Sequence, residues 1–281
     1  MHIGIGLPNQ VRNVAASVIP HWATDAERAG FATLATIGRY AYPGVMDTVA
    51  LAAAAGATTQ INLLSAVLLA PAWPAPLLAK EIAGIDGVSG GRLTLGVGVG
   101  SREEEFVTPG LGLPGRGKRL ESDLETYGEL WSAERSNPVV PMGTRQVPVL
   151  IGGYSARTMP RMARWGHGYI GGALPPSMTA PAFSEAKRAW QEAGRPGKPK
   201  LVVLAYFALG NIDLGLANVR HFYQHAPDHI ASSVVVCTSG SSIRELIDQY
   251  TQLDVDEIIF FPSNDNLDEI SRLADAVGSD R

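Results

Sequence analysis

Short β-branched or apolar segments alternate eight times with longer helical segments along this chain. That alternation is typical of a parallel sheet in which helices connect successive strands. Eight units in 281 residues correspond to roughly 35 residues each, which is enough for one closed (β/α)8 TIM barrel. Because no linker and no shift of composition divides the chain, we predict an α/β fold with a single domain over residues 1–281.

The predicted elements follow from apolar periodicity and from the positions of Gly and Pro. Strands are predicted at 3–7, 32–37, 61–68, 93–97, 147–151, 168–171, 201–208 and 257–261. Helices are predicted at 14–29, 45–57, 76–88, 119–132, 156–165, 182–193, 243–253 and 267–276. Ser242 and Glu245 match a capping box at the start of the seventh helix.

Enlarged loops are expected after strands four and seven, at 100–118 and 212–240. A further Pro-containing link is expected at 133–146, before strand five. The loop after strand seven carries a predicted helix at 217–225 and a strand-like segment at 232–237. Connections of this length in a compact domain are often functional.

Composition and charge narrow the classes of function. Lys and Arg total 23 against 27 for Asp and Glu, a net charge of -4 that provides no basic surface for a nucleic acid. The longest apolar run, 61–79, contains Pro71, Pro74 and Pro76, which argues against a membrane-spanning helix. A single cysteine, Cys237, and an N-terminus without signal-peptide features favour a cytoplasmic protein with a small-molecule substrate.

Glycines are concentrated where the strands of such a barrel would bind a ligand, at their C-terminal ends. After the fourth strand, Gly96, Gly98 and Gly100 alternate along extended backbone, where a flat ligand can lie against the chain. Close packing inside the barrel is the alternative explanation. The spacing does not match a dinucleotide-binding fingerprint.

The end of the fifth strand, 152–155, leads directly into a helix. Backbone amides at a helix N-terminus bind phosphate well, so this turn is a candidate anion site. An ordinary N-cap at Ser155 is the alternative. Gly171 and Gly172 repeat the glycine pair after the next strand, and two adjacent pairs favour a phosphate site more than either alone.

Several motifs together are similar to those of one known superfamily. They are Gly30-Phe31, the long stretch 77–106 with its Gly-Val-Gly-Val-Gly-Ser ending of strand four, the helix start 116–120, the strand 147–153 and the C-terminal segment 254–259. With these motifs the chain resembles the bacterial luciferase-like superfamily of flavin- and deazaflavin-dependent oxidoreductases. The region after about residue 173 matches weakly until the final strand and helix.

The resemblance implies a homodimer of (β/α)8 barrels with the flavin ring over the C-terminal ends of the strands. It also implies a non-proline cis peptide at Ala66-Val67, behind the ring. The residues assigned to the cofactor by the resemblance and the glycine pattern are Ser65, Ala66, Val67, Gly98, Gly100, Gly152, Gly153, Tyr154, Ser155, Gly171 and Gly172.

Two positions depart from the deazaflavin-dependent sugar-phosphate dehydrogenases of the superfamily. Those proteins typically carry Asp-His after strand two and Glu after the strand-four glycines, whereas this chain has Gly38-Arg39 and Ser101. The histidine pattern of the light-emitting members is also missing. These departures argue against sugar-phosphate chemistry, leave FMN and coenzyme F420 both open, and leave the catalytic acid or base unnamed.

The polar and aromatic side chains predicted near the barrel opening are Arg39, Tyr40, Tyr42, Trp73, Ser101 and Arg102. Of these, Arg39, Tyr40 and Tyr42 are the catalytic candidates. Arg39 can neutralise an anionic reduced flavin or a substrate carboxylate, or it is a solvated loop cation. Either tyrosine can donate a hydrogen bond to flavin-bound oxygen. The substrate pocket is assigned to Arg39, Trp73 and Ser101, although an aromatic residue placed like Trp73 is often part of the core.

The sequence therefore predicts an FMN-dependent monooxygenase that acts with dioxygen on a small organic substrate. Reduced FMN would come from a separate flavin reductase or be reduced in place. The alternatives are F420-dependent hydride transfer and a non-catalytic flavin-binding protein. No metal is expected, since Pro227 interrupts the helix on which His221, His225 and His229 would share a face.

Overall fold

The barrel predicted from the alternation is present and closed. A computed structural model describes residues 1–107, 109–132 and 138–278. Its strands are β1 (His2–Gly6), β2 (Thr33–Thr36), β3 (Asn62–Ser65), β4 (Leu93–Val97), β5 (Val149–Gly152), β6 (Gly168–Gly171), β7 (Lys200–Phe207), β8 (Val236–Cys237) and β9 (Glu257–Pro262). Eight parallel strands, β1 to β7 and β9, pair in chain order, and β9 pairs back to β1.

Helices follow the strands and cover the outside of the barrel. They are α1 (Val18–Arg28), α2 (Asp47–Ala57), α3 (Ala75–Ser89), α4 (Glu104–Val107), α5 (Arg116–Leu130), α6 (Thr158–Trp165), α7 (Pro176–Glu192), α8 (Ile212–Phe222), α9 (Asp228–Ala231), α10 (Gly240–Gln252) and α11 (Asp268–Val277). The C-terminal ends of the eight strands together form one end of the barrel. Barrels of this type bind their ligands at this end. We call this end the mouth.

Each helix start differs from its predicted position by one to six residues, and two of the differences have a clear cause. Helix α7 begins at Pro176, six residues before the predicted start, because a proline is well tolerated in the first turn of a helix. Helix α10 is capped by Ser239 rather than by Ser242. The Ser239 hydroxyl accepts from the Ser242 amide, and the Ser242 hydroxyl accepts from the Ser239 amide, which forms the capping box.

The excursion after β7 is built differently from the prediction. Its helical part is α8 and the single turn α9, so His225 lies between helices and the three histidines do not share one face. The strand-like segment narrows to β8, which pairs with Tyr206 and Phe207 beyond the end of β6. No group of three metal-ligating side chains occurs among the described residues.

The strands are buried on both faces, as parallel strands between a core and helices should be. All residues of β2, β5, β6 and β9 are buried. Alternate residues belong to two apolar clusters, one between sheet and helices and one that includes Leu64, Leu150, Ile170, Val202 and Ile259. The second cluster fills the barrel interior and forms a solid base beneath the mouth.

The two enlarged loops predicted after strands four and seven are present. The first, 100–118, contains α4 and the start of α5, and one of its residues, 108, lies outside the described residues. In the predicted link at 133–146, residues 133–137 lie outside them as well. None of the described helices has the length and apolar character needed to cross a membrane.

Candidate active site

Val67 lies beside Gly98 and Gly152, which follow or end β4 and β5, and comes directly after a cis peptide bond. The bond between Ala66 and Val67 is cis, as the resemblance implied. A Cβ atom added at Gly98 would lie 2.8 Å from Val67 Cγ2, and one added at Gly152 would lie 2.9 Å from Val67 Cγ1. Only glycines allow β4 and β5 to pack this closely around the valine. Val67 is half-buried whereas Ala66 is buried, so of these two residues the valine is the more accessible.

Ser65 has a structural position rather than one that faces the mouth. Its side chain is fully buried, and its hydroxyl donates to the Gly96 carbonyl and accepts from the Gly96 amide, at 2.8 and 2.9 Å. The hydroxyl thus joins β3 to β4 where backbone pairing has ended. Ser65 holds the start of the cis segment in place and leaves contact with a ligand to the residues that follow.

The turn after β5 presents unpaired amides to solvent. No described residue accepts a hydrogen bond from the amides of Gly153, Tyr154 or Ser155. Gly153 has a φ of +128°, a conformation that only glycine adopts without strain. The Ser155 hydroxyl is 3.1 Å from the Thr158 hydroxyl at the start of α6, so it does not cap the helix. The alternative of an ordinary N-cap at Ser155 is therefore wrong.

Tyr154 links the ends of β5 and β6. Its hydroxyl accepts a hydrogen bond of 2.7 Å from the Gly172 amide, and the Tyr169 hydroxyl donates to the Gly153 carbonyl at 3.0 Å. The two glycine-rich turns predicted to lie side by side are thus joined. Gly171 points elsewhere, because a Cβ added there would meet Phe183 on α7 at 3.1 Å.

Gly100 is a turn residue that packs against the loop after β4. Its φ is +68°, and an added Cβ would lie 3.0 Å from the Phe106 ring. The positive φ turns the chain away from the mouth and into α4. Of the two strand-four glycines assigned to the cofactor, Gly98 is the one that adjoins Val67.

Arg39 is a buried, fully paired cation and not a solvated loop residue. Its side chain is 4% exposed; Nε donates to Glu105 Oε1 at 2.7 Å and Nη2 to Glu104 Oε1 at 3.1 Å. Nη1 donates to the Phe222 carbonyl at the end of α8, at 3.0 Å. Glu105, 1% exposed, also accepts from the Tyr40 and Ala41 amides. This arrangement fixes the loop after β2 to the loop after β4.

The other side chains predicted near the mouth fall into separate places. Tyr40 is 48% exposed, and Tyr42 Oη lies 3.1 Å from His221 Nδ1. Trp73 is partly buried against the core outside the barrel, as the core alternative proposed. Ser101 is exposed and lines the large cavity of the mouth.

Asp47, at the start of α2, is an acid at the mouth that the sequence analysis missed. It is 2% exposed, and burial raises its pKa to about 6. Its Oδ1 accepts from the Thr48 amide, and its Oδ2 fills the space where a Cβ at Gly38 would be. The sequence contained one signal, an aspartate at the head of an otherwise apolar helix, but an acid there is also common in a helix's first turn.

Comparisons with known proteins agree with this geometry. The family model described as luciferase-like monooxygenase matches residues 1–257. The uncharacterized protein Rv0940c of Mycobacterium tuberculosis is 28% identical over 173 residues, which cover 57% of this chain and 59% of that protein. The match therefore spans less than two thirds of the length of that relative.

Solved structures with the same fold bind either type of flavin. An F420-dependent secondary alcohol dehydrogenase in complex with an F420-acetone adduct has a TM-score of 0.82 at 14% identity, and the match covers 100% of this chain and 99% of that one. The oxygenating constituent of 3,6-diketocamphane monooxygenase from Pseudomonas putida, in complex with FMN, has a TM-score of 0.77 at 13% identity and covers 100% and 97%. At these identities the likeness shows the fold alone.

Proposed function

The chain belongs to the luciferase-like monooxygenase family, and from that premise we propose that it is an FMN-dependent monooxygenase acting with dioxygen on a small organic substrate. Reduced FMN would be supplied by a flavin reductase or regenerated in place, in a cytoplasmic homodimer. The observation that carries the proposal is the surface formed by Val67 between Gly98 and Gly152. It is apolar and free of side chains at both glycines, which suits one face of an isoalloxazine ring.

The turn after β5 supports the same ligand from a second direction. FMN carries a dianionic phosphate, and the unpaired amides of 153–155 can donate to its oxygens. Because Tyr154 holds this turn against Gly172, the donors are in place before the ligand arrives. The two features together match a ring with a phosphate tail, so the residues present fit FMN.

When bound, a reduced flavin supplies the electrons that activate dioxygen. The residues of this chain would position the ring and exclude water from it. The Arg39–Glu105 pair would keep the mouth rigid by joining two loops. Asp47, whose Oδ2 lies beside Gly38 as the Val67 carbonyl does, has a pKa raised to about 6 and can hold a proton at mildly acidic pH.

Titration of the full-length protein with FMN, riboflavin and F420 tests the cofactor assignment. We expect FMN to bind about tenfold or more tightly than riboflavin, because charge-assisted hydrogen bonds to the phosphate contribute about 1.5–3 kcal/mol. Equal affinity for FMN and riboflavin would show that the turn after β5 does not bind the phosphate. Binding of F420 alone would overturn the FMN assignment and favour F420-dependent hydride transfer.

The reaction with oxygen tests catalysis separately from binding. Mixing the protein, loaded with reduced FMN, with dioxygen and following flavin absorbance should show a transient species before oxidised FMN appears. A protein that binds FMN tightly but shows simple one-phase oxidation would be a flavin-binding protein without oxygenase activity.

A further inference from the structure

A cavity of about 580 Å3 lies at the mouth, and its lining includes Tyr154 and Gly172 of the proposed cofactor site. It extends from the loop after β4, past the end of β6, to the segment that contains α9. One wall is apolar and includes Ala173, Leu174, Ile230 and Val234. A space of this volume and character accommodates a small ligand with an apolar body.

Arg102 lines this cavity and has few partners for its charge. Its only hydrogen bond within the described part of the chain is a long one of 3.5 Å from Nη2 to the Phe222 carbonyl. Its guanidinium carbon lies 5.4 Å from the centre of the Phe222 ring and 5.8 Å from that of Tyr223. A guanidinium has five N–H donors, so most of those on Arg102 have no protein acceptor.

The carboxylates near Arg102 are engaged elsewhere. Glu105 and Glu104 are both paired with Arg39, which takes the charges that would otherwise neutralise Arg102. Glu103 lies at the exposed rim of the cavity and forms no ion pair in the described ranges. Burial and then repulsion by Arg39 lower the pKa of Arg102, and attraction by Glu105 offsets only part of this.

A partly buried cation without a counter-charge is unfavourable, because its lost hydration is not replaced. Contacts with two aromatic faces recover only part of that loss, since a cation–π contact is weaker than a full set of hydrogen bonds to the guanidinium. An anionic group in the cavity would restore the missing hydrogen bonds. Arg102 is therefore placed to bind an anionic ligand rather than to stabilise the fold.

We propose that Arg102 binds a carboxylate of the substrate, whose apolar body lies against Leu174, Ile230 and Val234. The proposal rests on the proposed function, because it places the cofactor ring on the Val67 surface and leaves this cavity to the substrate. The substrate class is then an organic acid with an apolar chain or ring system. Arg102 is a specificity-determining residue, since it distinguishes the acid from a neutral molecule of the same shape.

Matched probes on the FMN-loaded full-length protein test this assignment. Hexanoate, octanoate and decanoate are compared by calorimetry with the alcohols of equal chain length. We expect the best carboxylate to bind wild type about tenfold more tightly than its alcohol. In Arg102→Met that preference should vanish, while Arg102→Lys keeps part of it. Arg188→Met removes an exposed arginine of α7 and should leave the preference intact.

Thermal unfolding distinguishes a ligand-binding role of Arg102 from a structural role. Without added ligand, Arg102→Met should be at least as stable as wild type, because the substitution removes an unpaired charge. A loss of stability in Arg102→Met would make Arg102 structural. Failure of every carboxylate to bind wild type, or equal binding of acids and alcohols, would also overturn the proposal.

Cofactor titrations show which anion Arg102 recognises. If Arg102→Met weakens binding of FMN or F420 about tenfold and leaves octanoate unchanged, the cofactor is the anion and the substrate assignment is wrong. If wild type binds no flavin but still prefers octanoate over octan-1-ol, the proposed function fails while the carboxylate site stands. If FMN binds equally to wild type and Arg102→Met, and octanoate only to wild type, both assignments are supported.

Discussion

Two arginines lie in loops at the mouth, and they differ in whether the protein neutralises their charge. Arg39, after β2, donates to two carboxylates and to the Phe222 carbonyl, and its side chain is 4% exposed. Arg102, after β4, reaches the same carbonyl at 3.5 Å and no carboxylate among the described residues. Both therefore approach the C-terminal end of α8, where a cation is favoured by the helix dipole.

This difference distinguishes an arginine that stabilises the fold, Arg39, from one that can bind a ligand, Arg102. The charges around Arg39 are satisfied within the protein, so removal of one leaves its partner buried and unpaired. The charge of Arg102 is not satisfied, so it is available to a ligand and its removal does not leave another group unpaired. Burial alone would not reveal this distinction, because it depends on where each neighbouring carboxylate points.

The largest effect is expected from Glu105→Gln. Loss of this carboxylate charge leaves Arg39 with only the half-exposed Glu104, and we expect a loss of roughly 3 kcal/mol in the free energy of unfolding. Urea denaturation measures it. Glu103→Gln, at an exposed glutamate two residues away, should change stability by less than about 0.5 kcal/mol. Equal effects of the two substitutions would contradict the assignment of Arg39 to the architecture.

The next effect is a stabilisation, expected from Asp47→Asn. The folded-state pKa of Asp47 is about 6, above its usual 3.8. The folded state thus binds this proton more tightly than the unfolded state does. Burying the ionised carboxylate lowers the free energy of unfolding; this loss is absent below about pH 4, grows between pH 4 and 6, and is complete above pH 6. We expect Asp47→Asn to add up to about 3 kcal/mol to the free energy of unfolding at pH 8 and nothing near pH 4.

Unfolding midpoints across this pH range test the Asp47 prediction. Asp248→Asn replaces an exposed aspartate of α10 and serves as the matched control. A stabilisation by Asp47→Asn that is the same at pH 4 and pH 8 would show that the carboxylate charge is not its origin.

A smaller effect, on binding, is expected from Gly98→Ala. The new Cβ would force Val67 toward the proposed ring position, so we expect FMN affinity to fall about tenfold, equivalent to about 1.4 kcal/mol. Fluorescence titration measures it. Gly128→Ala lies on α5 with open space around the added carbon and should leave affinity unchanged. Unaltered FMN binding in folded Gly98→Ala would place the ring elsewhere.

The smallest effect concerns the contact that joins the loop after β2 to α8. Tyr42→Phe removes the hydrogen bond between Tyr42 Oη and His221 Nδ1, at a cost of about 1 kcal/mol. Faster amide hydrogen exchange in α8 would report it. The exposed Tyr40, replaced by Phe, should leave the exchange of α8 unchanged. No change in Tyr42→Phe would leave Arg39 as the principal tie to α8.

The sequence predicted much of the fold and the places of the glycines that end strands four and five. The eightfold alternation predicted the barrel because the spacing of apolar residues in each segment indicates whether it is a strand or a helix and which face is buried. The glycines after β4 and β5 and the cis bond at Ala66-Val67 were also placed correctly. Errors fell on the cap of α10 and the start of α7, since capping depends on side-chain geometry that several nearby serines or prolines permit.

The roles of the charged residues could not be predicted in the same way. Arg39 and Glu105 are 66 residues apart in the chain, and Asp47 fills space beside Gly38 only after α2 has packed on the barrel. Nothing in the local sequence distinguishes Arg39 from Arg102. Each precedes aromatic or acidic residues, and each follows a strand.

The sequence by itself determined the barrel, its mouth and the glycine-lined surface, because these depend on backbone preferences and apolar patterns that act over short distances. Only the tertiary structure decided which charges are paired, which acid is buried and which cation faces the cavity. The physical reason is that the energy of a charge depends on solvation and on partners brought from distant segments, and both exist only once the chain has folded.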